Sequence, residues 1–211
     1  MYEMKIKICG LRRPEDVTYA NEVKPDYIGF ILSPGFRRSI TKETARELKA
    51  LLDPEIKAVG VFVNEPAEHV AEFLEEGIID VAQLHGHESE EDILYVKAKT
   101  GKPVIKVVKV VDRYVVEAWL DSAADYLLFD SGTGTGKTFD WSVLTEMLEE
   151  FGGRLPKEFF LAGGITAEIL DLAHERINPF AVDISSGVEI DGVKDFEKMK
   201  LAVSMARKYD E

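Results

Sequence analysis

The chain has 211 residues, with 26 lysines and arginines against 39 aspartates and glutamates, a formal charge of −13 at pH 7. That balance argues against a general nucleic-acid binder, because affinity for a phosphate backbone needs a surplus of basic groups. With 45% hydrophobic and 31% charged residues there is material for a substantial core under a dense charged surface, which excludes a disordered tail. The one cysteine, Cys9, cannot form an intrachain disulfide, so a reducing compartment is expected. The first residues mix charged and apolar side chains and lack the apolar stretch of a signal peptide. The longest apolar runs, such as 58–63, fall far short of the ~20 residues that cross a bilayer. No Gly-, Ser- or Pro-rich linker marks a boundary, so one cytoplasmic domain over 1–211 is expected, with a small-molecule partner and neither nucleic acid nor membrane.

Short β-branched or aromatic runs alternate with longer segments of helical character along the whole chain. The strand candidates are 4–9, 26–32, 56–62, 80–84, 103–108, 125–130, 158–161 and 180–184. The helix candidates are 14–23, 41–52, 66–76, 88–100, 112–121, 140–151, 166–175 and 193–208. Several carry helix-start chemistry: Pro14 and Pro66 in first turns, Thr41 ahead of Thr44, and Thr166 ahead of Glu168. Eight strand–helix pairs of about 26 residues each are tight but feasible βα units, and eight is the count of a closed (β/α)8 TIM barrel of near-minimal length. An open doubly wound sheet competes. The glycine-rich segments after the last two strands favour the barrel, since phosphate binds there in barrels.

In either architecture active sites gather beyond the carboxyl ends of the strands. Cys9 ends the first strand and shares a face with Lys7 and Lys5, while Ile6 and Ile8 point the other way. A nearby ammonium lowers a thiol's pKa, which suits a base; a small core residue is the alternative. Asp130 ends the sixth strand on the face of Tyr126 and Leu128, as a general acid or as a turn-forming carboxylate. The segment Ser131-Gly132-Thr133-Gly134-Thr135-Gly136-Lys137-Thr138 fails the P-loop spacing, because Ser131 stands where glycine is required, and it fails the dinucleotide fingerprint as well. It reads as a mobile loop over the site, with Lys137 an anion contact or a solvated lysine. Ala162-Gly163-Gly164-Ile165 and Ser185-Ser186-Gly187-Val188 follow the last two strands, where paired backbone N–H groups suit one phosphate. Arg37 and Arg38 after the second strand offer a carboxylate fork or a solvated loop pair. His85 and His87, with His69 and His174 on helices, make no convincing metal set.

These residues fall into an ordered series: Lys7-Ile8-Cys9-Gly10, Gly29-Phe30 through Arg38, Gly60-Val61-Phe62-Val63-Asn64, Gln83-Leu84-His85-Gly86, Asp130, Gly136-Lys137-Thr138-Phe139-Asp140-Trp141, Ala162-Gly163-Gly164, and Val182-Asp183-Ile184-Ser185-Ser186-Gly187-Val188-Glu189. In that order, over essentially the whole length, the chain resembles the phosphoribosylanthranilate isomerase family, the (β/α)8-barrel enzymes of tryptophan biosynthesis. The resemblance implies an Amadori rearrangement of N-(5-phosphoribosyl)anthranilate, with Cys9 as general base, Asp130 as general acid and Arg38, not Arg37, as clamp on the anthranilate carboxylate. It groups Gln83, His85 and Asp183 with substrate binding, and Gly163, Gly164, Ser185, Ser186 and Gly187 with phosphate binding. Neither a metal nor an organic cofactor is implied, and the assembly is a monomer or a homodimer. The readings it competes with are another phosphosugar barrel, such as an epimerase or synthase, and a non-catalytic binder of phosphate ligands.

Overall fold

The computed structural model describes residues 4–130 and 140–208. Eight parallel strands close into a barrel in chain order: β1 (Lys5–Cys9), β2 (Tyr27–Ile31), β3 (Lys57–Phe62), β4 (Val81–Leu84), β5 (Val104–Lys109), β6 (Tyr126–Asp130), β7 (Phe159–Leu161) and β8 (Ala181–Ile184), which pairs back onto β1. Around it run α1 (Pro14–Val23), α2 (Lys42–Leu51), α3 (Ala67–Glu75), α4 (Glu90–Thr100), α5 (Arg113–Leu120), α6 (Ser142–Glu150), α7 (Leu170–Arg176) and α8 (Phe196–Arg207). The chain is therefore a (β/α)8 TIM barrel, and the open sheet is excluded by the β1–β8 ladder.

Alternation along each strand builds two cores. Ile6, Ile8, Leu127 and Phe129 belong to the large cluster between barrel and helices, while Val59, Val81, Ile105, Val107, Leu128 and Phe160 fill the interior. At the amino end of the strands Phe160 meets Tyr27, Tyr126 and Phe180 edge-on, with Tyr126 stacked on Phe180 at 5.0 Å, so that end is plugged by aromatic rings. Asp26, Asp80 and Asp125 lie at the same end. Each accepts a backbone N–H of the preceding strand, from Ile6, Ala58 and Val104, at 2.8–2.9 Å. These carboxylates lock register, which leaves chemistry to the opposite mouth.

Caps explain most helix starts. Thr41, Ser89, Asp112 and Asp195 each accept the backbone N–H three residues on, and Pro14 opens α1. Two expected helices differ. The segment from 166 begins as a 3-10 turn, Ala167–Ile169, in which Thr166 makes no side-chain cap, before α7 takes over. The helix expected from 193 starts at Phe196, because Val193–Lys194 (β10) pairs antiparallel with Glu189–Ile190 (β9). The cause is Asp191-Gly192, both at positive φ (+50° and +78°), an Asp-Gly hairpin turn that outcompetes helix propagation. Among the described residues no helix is long and apolar enough to cross a membrane.

Candidate active site

A cleft of about 360 Å³ opens at the carboxyl ends of the strands, and it brings together Cys9, Arg38, Gln83, His85, Asp130, Gly163, Gly164, Asp183, Ser185 and Ser186. Gly187 does not line this cleft but a neighbouring depression, which it shares with Gly164, Thr166, Ser186 and Lys198. A Cβ at Gly187 would stand 2.4 Å from the Ile165 carbonyl oxygen, so glycine there lets the loops after β7 and β8 touch. Gly163 and Gly164 sit at φ of +85° and +77°, a left-handed pair that turns the chain sharply after β7. The segment Ser131 to Thr138, expected from sequence to be a mobile loop with Lys137 as an anion contact or a solvated lysine, lies outside the described residues.

Cys9 is buried at the end of β1 above Lys7, whose side chain is fully enclosed and donates to Asp183 Oδ2 at 2.8 Å. Lys5, one alternation lower, is partly exposed and pairs with Asp26 at 3.3 Å, so only one of the two lysines bears on the thiol. The expectation of a lowered thiol pKa is corrected. Burial pushes the Cys9 thiol up, and the Lys7 ammonium, with Lys194 assisting, only partly offsets it. Lys7 stays charged: burial opposes its ammonium, but Asp183 and Cys9 prevail and raise its pKa.

The space around the thiol is made by Gly29 on β2. A Cβ there would lie 2.6 Å from Cys9 Sγ and 3.2 Å from its Cα. Gly29→Ala is therefore expected to displace the thiol and overpack the barrel, lowering kcat at least tenfold and stability by about 1–3 kcal/mol. Steady-state kinetics with a thermal melt checks both, and unchanged kcat would mean the thiol's position is immaterial.

On the far side, Asp130 ends β6 with Oδ2 at 3.7 Å from His85 Nε2, too long for a hydrogen bond but close enough to set the local field. His85 Nδ1 lies 3.2 Å from the Gln83 side-chain amide, within hydrogen-bond reach, which leaves Nε2 facing Asp130. Burial lowers the His85 pKa, so the ring is neutral around neutral pH. Gln83 Oε1 and Asp183 Oδ1 are buried acceptors without a hydrogen-bond partner among the described residues, and both residues line the cleft. Such atoms call for hydrogen-bond donors.

Arg38 reaches the cleft with a side chain 18% exposed, whereas Arg37 is 57% exposed and does not line it. Sequence inspection missed what holds Arg38: its Nε and Nη2 donate to the two oxygens of Glu189 at 2.6 and 2.8 Å. Glu189 is carried by the hairpin that the Asp191-Gly192 turn would have announced.

A thiol and a carboxyl on separate strand ends, with a guanidinium and two glycine-rich segments in the same mouth, are the kind of constellation that barrel enzymes carry at the carboxyl ends of their strands. The family model "N-(5'phosphoribosyl)anthranilate (PRA) isomerase" matches residues 6–205. An N-(5'-phosphoribosyl)anthranilate isomerase of Endomicrobium trichonymphae is 44% identical, with 96% of this chain and 98% of that protein covered. The crystal structure of the phosphoribosyl anthranilate isomerase from Thermus thermophilus is 36% identical with a TM-score of 0.84, over 96% of this chain and 98% of that one. A further crystal structure of such an isomerase, in complex with reduced 1-(o-carboxyphenylamino)-1-deoxyribulose 5-phosphate, is 33% identical with a TM-score of 0.82 over the same shares. The chain belongs to the N-(5'-phosphoribosyl)anthranilate isomerase family; it is an enzyme, an isomerase of tryptophan biosynthesis.

Proposed function

We propose that Cys9 and Asp130 are the base and acid of an Amadori rearrangement that converts N-(5'-phosphoribosyl)anthranilate to 1-(2-carboxyphenylamino)-1-deoxyribulose 5-phosphate. The observation that carries this is their placement at the ends of β1 and β6 in one cleft that also holds Arg38 and the loops after β7 and β8. Asp130 gives a proton to the furanose ring oxygen as the bond from C1 to that oxygen breaks and the nitrogen lone pair forms the Schiff base. The iminium acidifies C2, and Cys9 as thiolate takes the C2 proton. The electron pair moves into the enolamine, which gains a proton and tautomerises to the ketone. No net oxidation occurs, since the two electrons lost at C2 are gained at C1.

The phosphate is held by backbone N–H groups of the segments around Gly163, Gly164, Ser185, Ser186 and Gly187, where the small residues allow close approach. Asp183 and Gln83 receive sugar hydroxyls, and His85 faces the ring-opening side. Arg38 takes the anthranilate carboxylate. The partner is thus one small molecule, and the enzyme works in the cytoplasm as a monomer or homodimer.

Anthranilate fluorescence gives the test: purified enzyme must consume N-(5'-phosphoribosyl)anthranilate faster than its spontaneous breakdown, and absence of turnover overturns the reading. Arg38→Ala is expected to raise KM about 10- to 100-fold, from about 1.5–3 kcal/mol of charge-assisted hydrogen bonding, with the melt retained. Unchanged KM would remove Arg38 from carboxylate recognition.

A further inference from the structure

Resting on that reading of Arg38, we propose that Glu189 is a positioning residue for substrate recognition: it grips one edge of the Arg38 guanidinium so that the other edge is presented to the substrate's aromatic carboxylate. A guanidinium has two edges able to bind a carboxylate, Nε with Nη2 and Nη1 with Nη2. Glu189 occupies the first, at 2.6 and 2.8 Å. This leaves Nη1 and the second hydrogen of Nη2 for the ligand.

Three further features make the grip rigid and keep the site positive. The Arg38 stem lies over Gly10, next to Cys9, where a Cβ would stand 2.5 Å from Arg38 Cδ, so glycine seats the side chain beside the base. Glu189 is itself buried and accepts from Lys194 Nζ at 2.9 Å, while Lys194 also donates to the Ser185 carbonyl at 2.9 Å and so ties the hairpin to the loop after β8. Arg37 adds a third cation at 2.9 Å. One carboxylate thus gathers three positive side chains at the mouth of a protein of net charge −13, so Arg38 is oriented without being neutralised. Burial would raise the Glu189 carboxyl, but hydrogen bonds from Arg38 and Lys194 outweigh it and hold the group at about 2, so the grip persists at every working pH. Indifferent surface pairing would not bury both partners of Lys194 and Glu189 beneath the arginine.

The test compares two ligands by calorimetry: 1-(2-carboxyphenylamino)-1-deoxyribitol 5-phosphate and the same molecule without its carboxylate. The wild type is expected to prefer the carboxylated ligand at least tenfold. Glu189→Gln should cut that preference about tenfold by loosening the carboxylated ligand alone, with the other ligand's Kd unchanged within twofold. Equal weakening of both ligands, or a preserved preference, overturns the proposal. Arg38→Ala separates the two readings. If it abolishes the preference while Glu189→Gln keeps it, Glu189 has no positioning role although the clamp stands; if Arg38→Ala keeps the preference, the clamp itself is wrong and Glu189's role falls with it. Thermal melts accompany each variant, and where Glu189→Gln does not fold, Glu189→Asp, which keeps the charge but shortens the reach, must show the same selective loss.

Discussion

Cys9→Ala is expected to lower kcat by about 10²- to 10⁴-fold with KM within a few fold of wild type, because a general base acts in the transition state and contributes little to ground-state binding. The side chain is small and buried, so its loss costs little packing and the fold should persist, as a melt would register. The pH profile carries a second signature. Burial holds the thiol above its ordinary range, against Lys7 and Lys194, and only the thiolate removes a proton. As pH rises toward the thiol's pKa the thiolate fraction grows, so kcat/KM must climb from acid through neutral pH. Cys9→Ser should flatten that limb, since a hydroxyl does not ionise there. Substrate deuterated at C2 should slow the wild type if abstraction limits the rate, and more so the serine variant. A Cys9→Ala enzyme with wild-type kcat would transfer the base role to another group.

How much of this was legible beforehand divides along physical lines. The faces of β1 and β6 were readable because alternation needs only local sequence: Ile6 and Ile8 bury outward, which forces Lys7 and Cys9 inward, and Leu127 and Phe129 do the same for Asp130. The count of eight units left barrel and open sheet both standing, the glycine segments after the last two strands favoured the barrel, and the β1–β8 ladder decides it; the strand bounds fell within about a residue. What was not readable depends on distance or on competing magnitudes. Arg38 and Glu189 are 151 residues apart, and no local pattern links them. The sign of the Cys9 shift is a contest between enclosure and a neighbouring ammonium, which spacing cannot decide. Lys106, on the helix-facing side of β5, is buried and paired with Glu88 at 2.8 Å under Trp119, although a lysine in a strand ordinarily signals exposure. The hairpin of β9 and β10 was readable from Asp191-Gly192, but the helical period of the residues that follow masked it.

Asp130→Asn is expected to match the loss at Cys9, about 10²- to 10⁴-fold in kcat, because the amide keeps the size and hydrogen-bonding of the carboxyl but has no proton to give the ring oxygen. The kinetic consequence differs in kind. Ring opening precedes abstraction, so removing the acid makes opening rate-limiting and should suppress the isotope effect of C2-deuterated substrate, whereas loss of the base should not. His85 offers no substitute: with Nδ1 toward Gln83 and burial lowering its pKa, it faces Asp130 as a neutral imidazole, a far weaker acid than a carboxyl. The double variant Cys9→Ala, Asp130→Asn then becomes decisive. Two residues that act in successive transition states raise two separate barriers, and only the higher governs the rate. The double variant should fall little below the slower single variant. Losses that multiply would place thiol and carboxyl in one transition state, with proton gain at the ring oxygen and proton loss at C2 concerted, and would overturn the stepwise route.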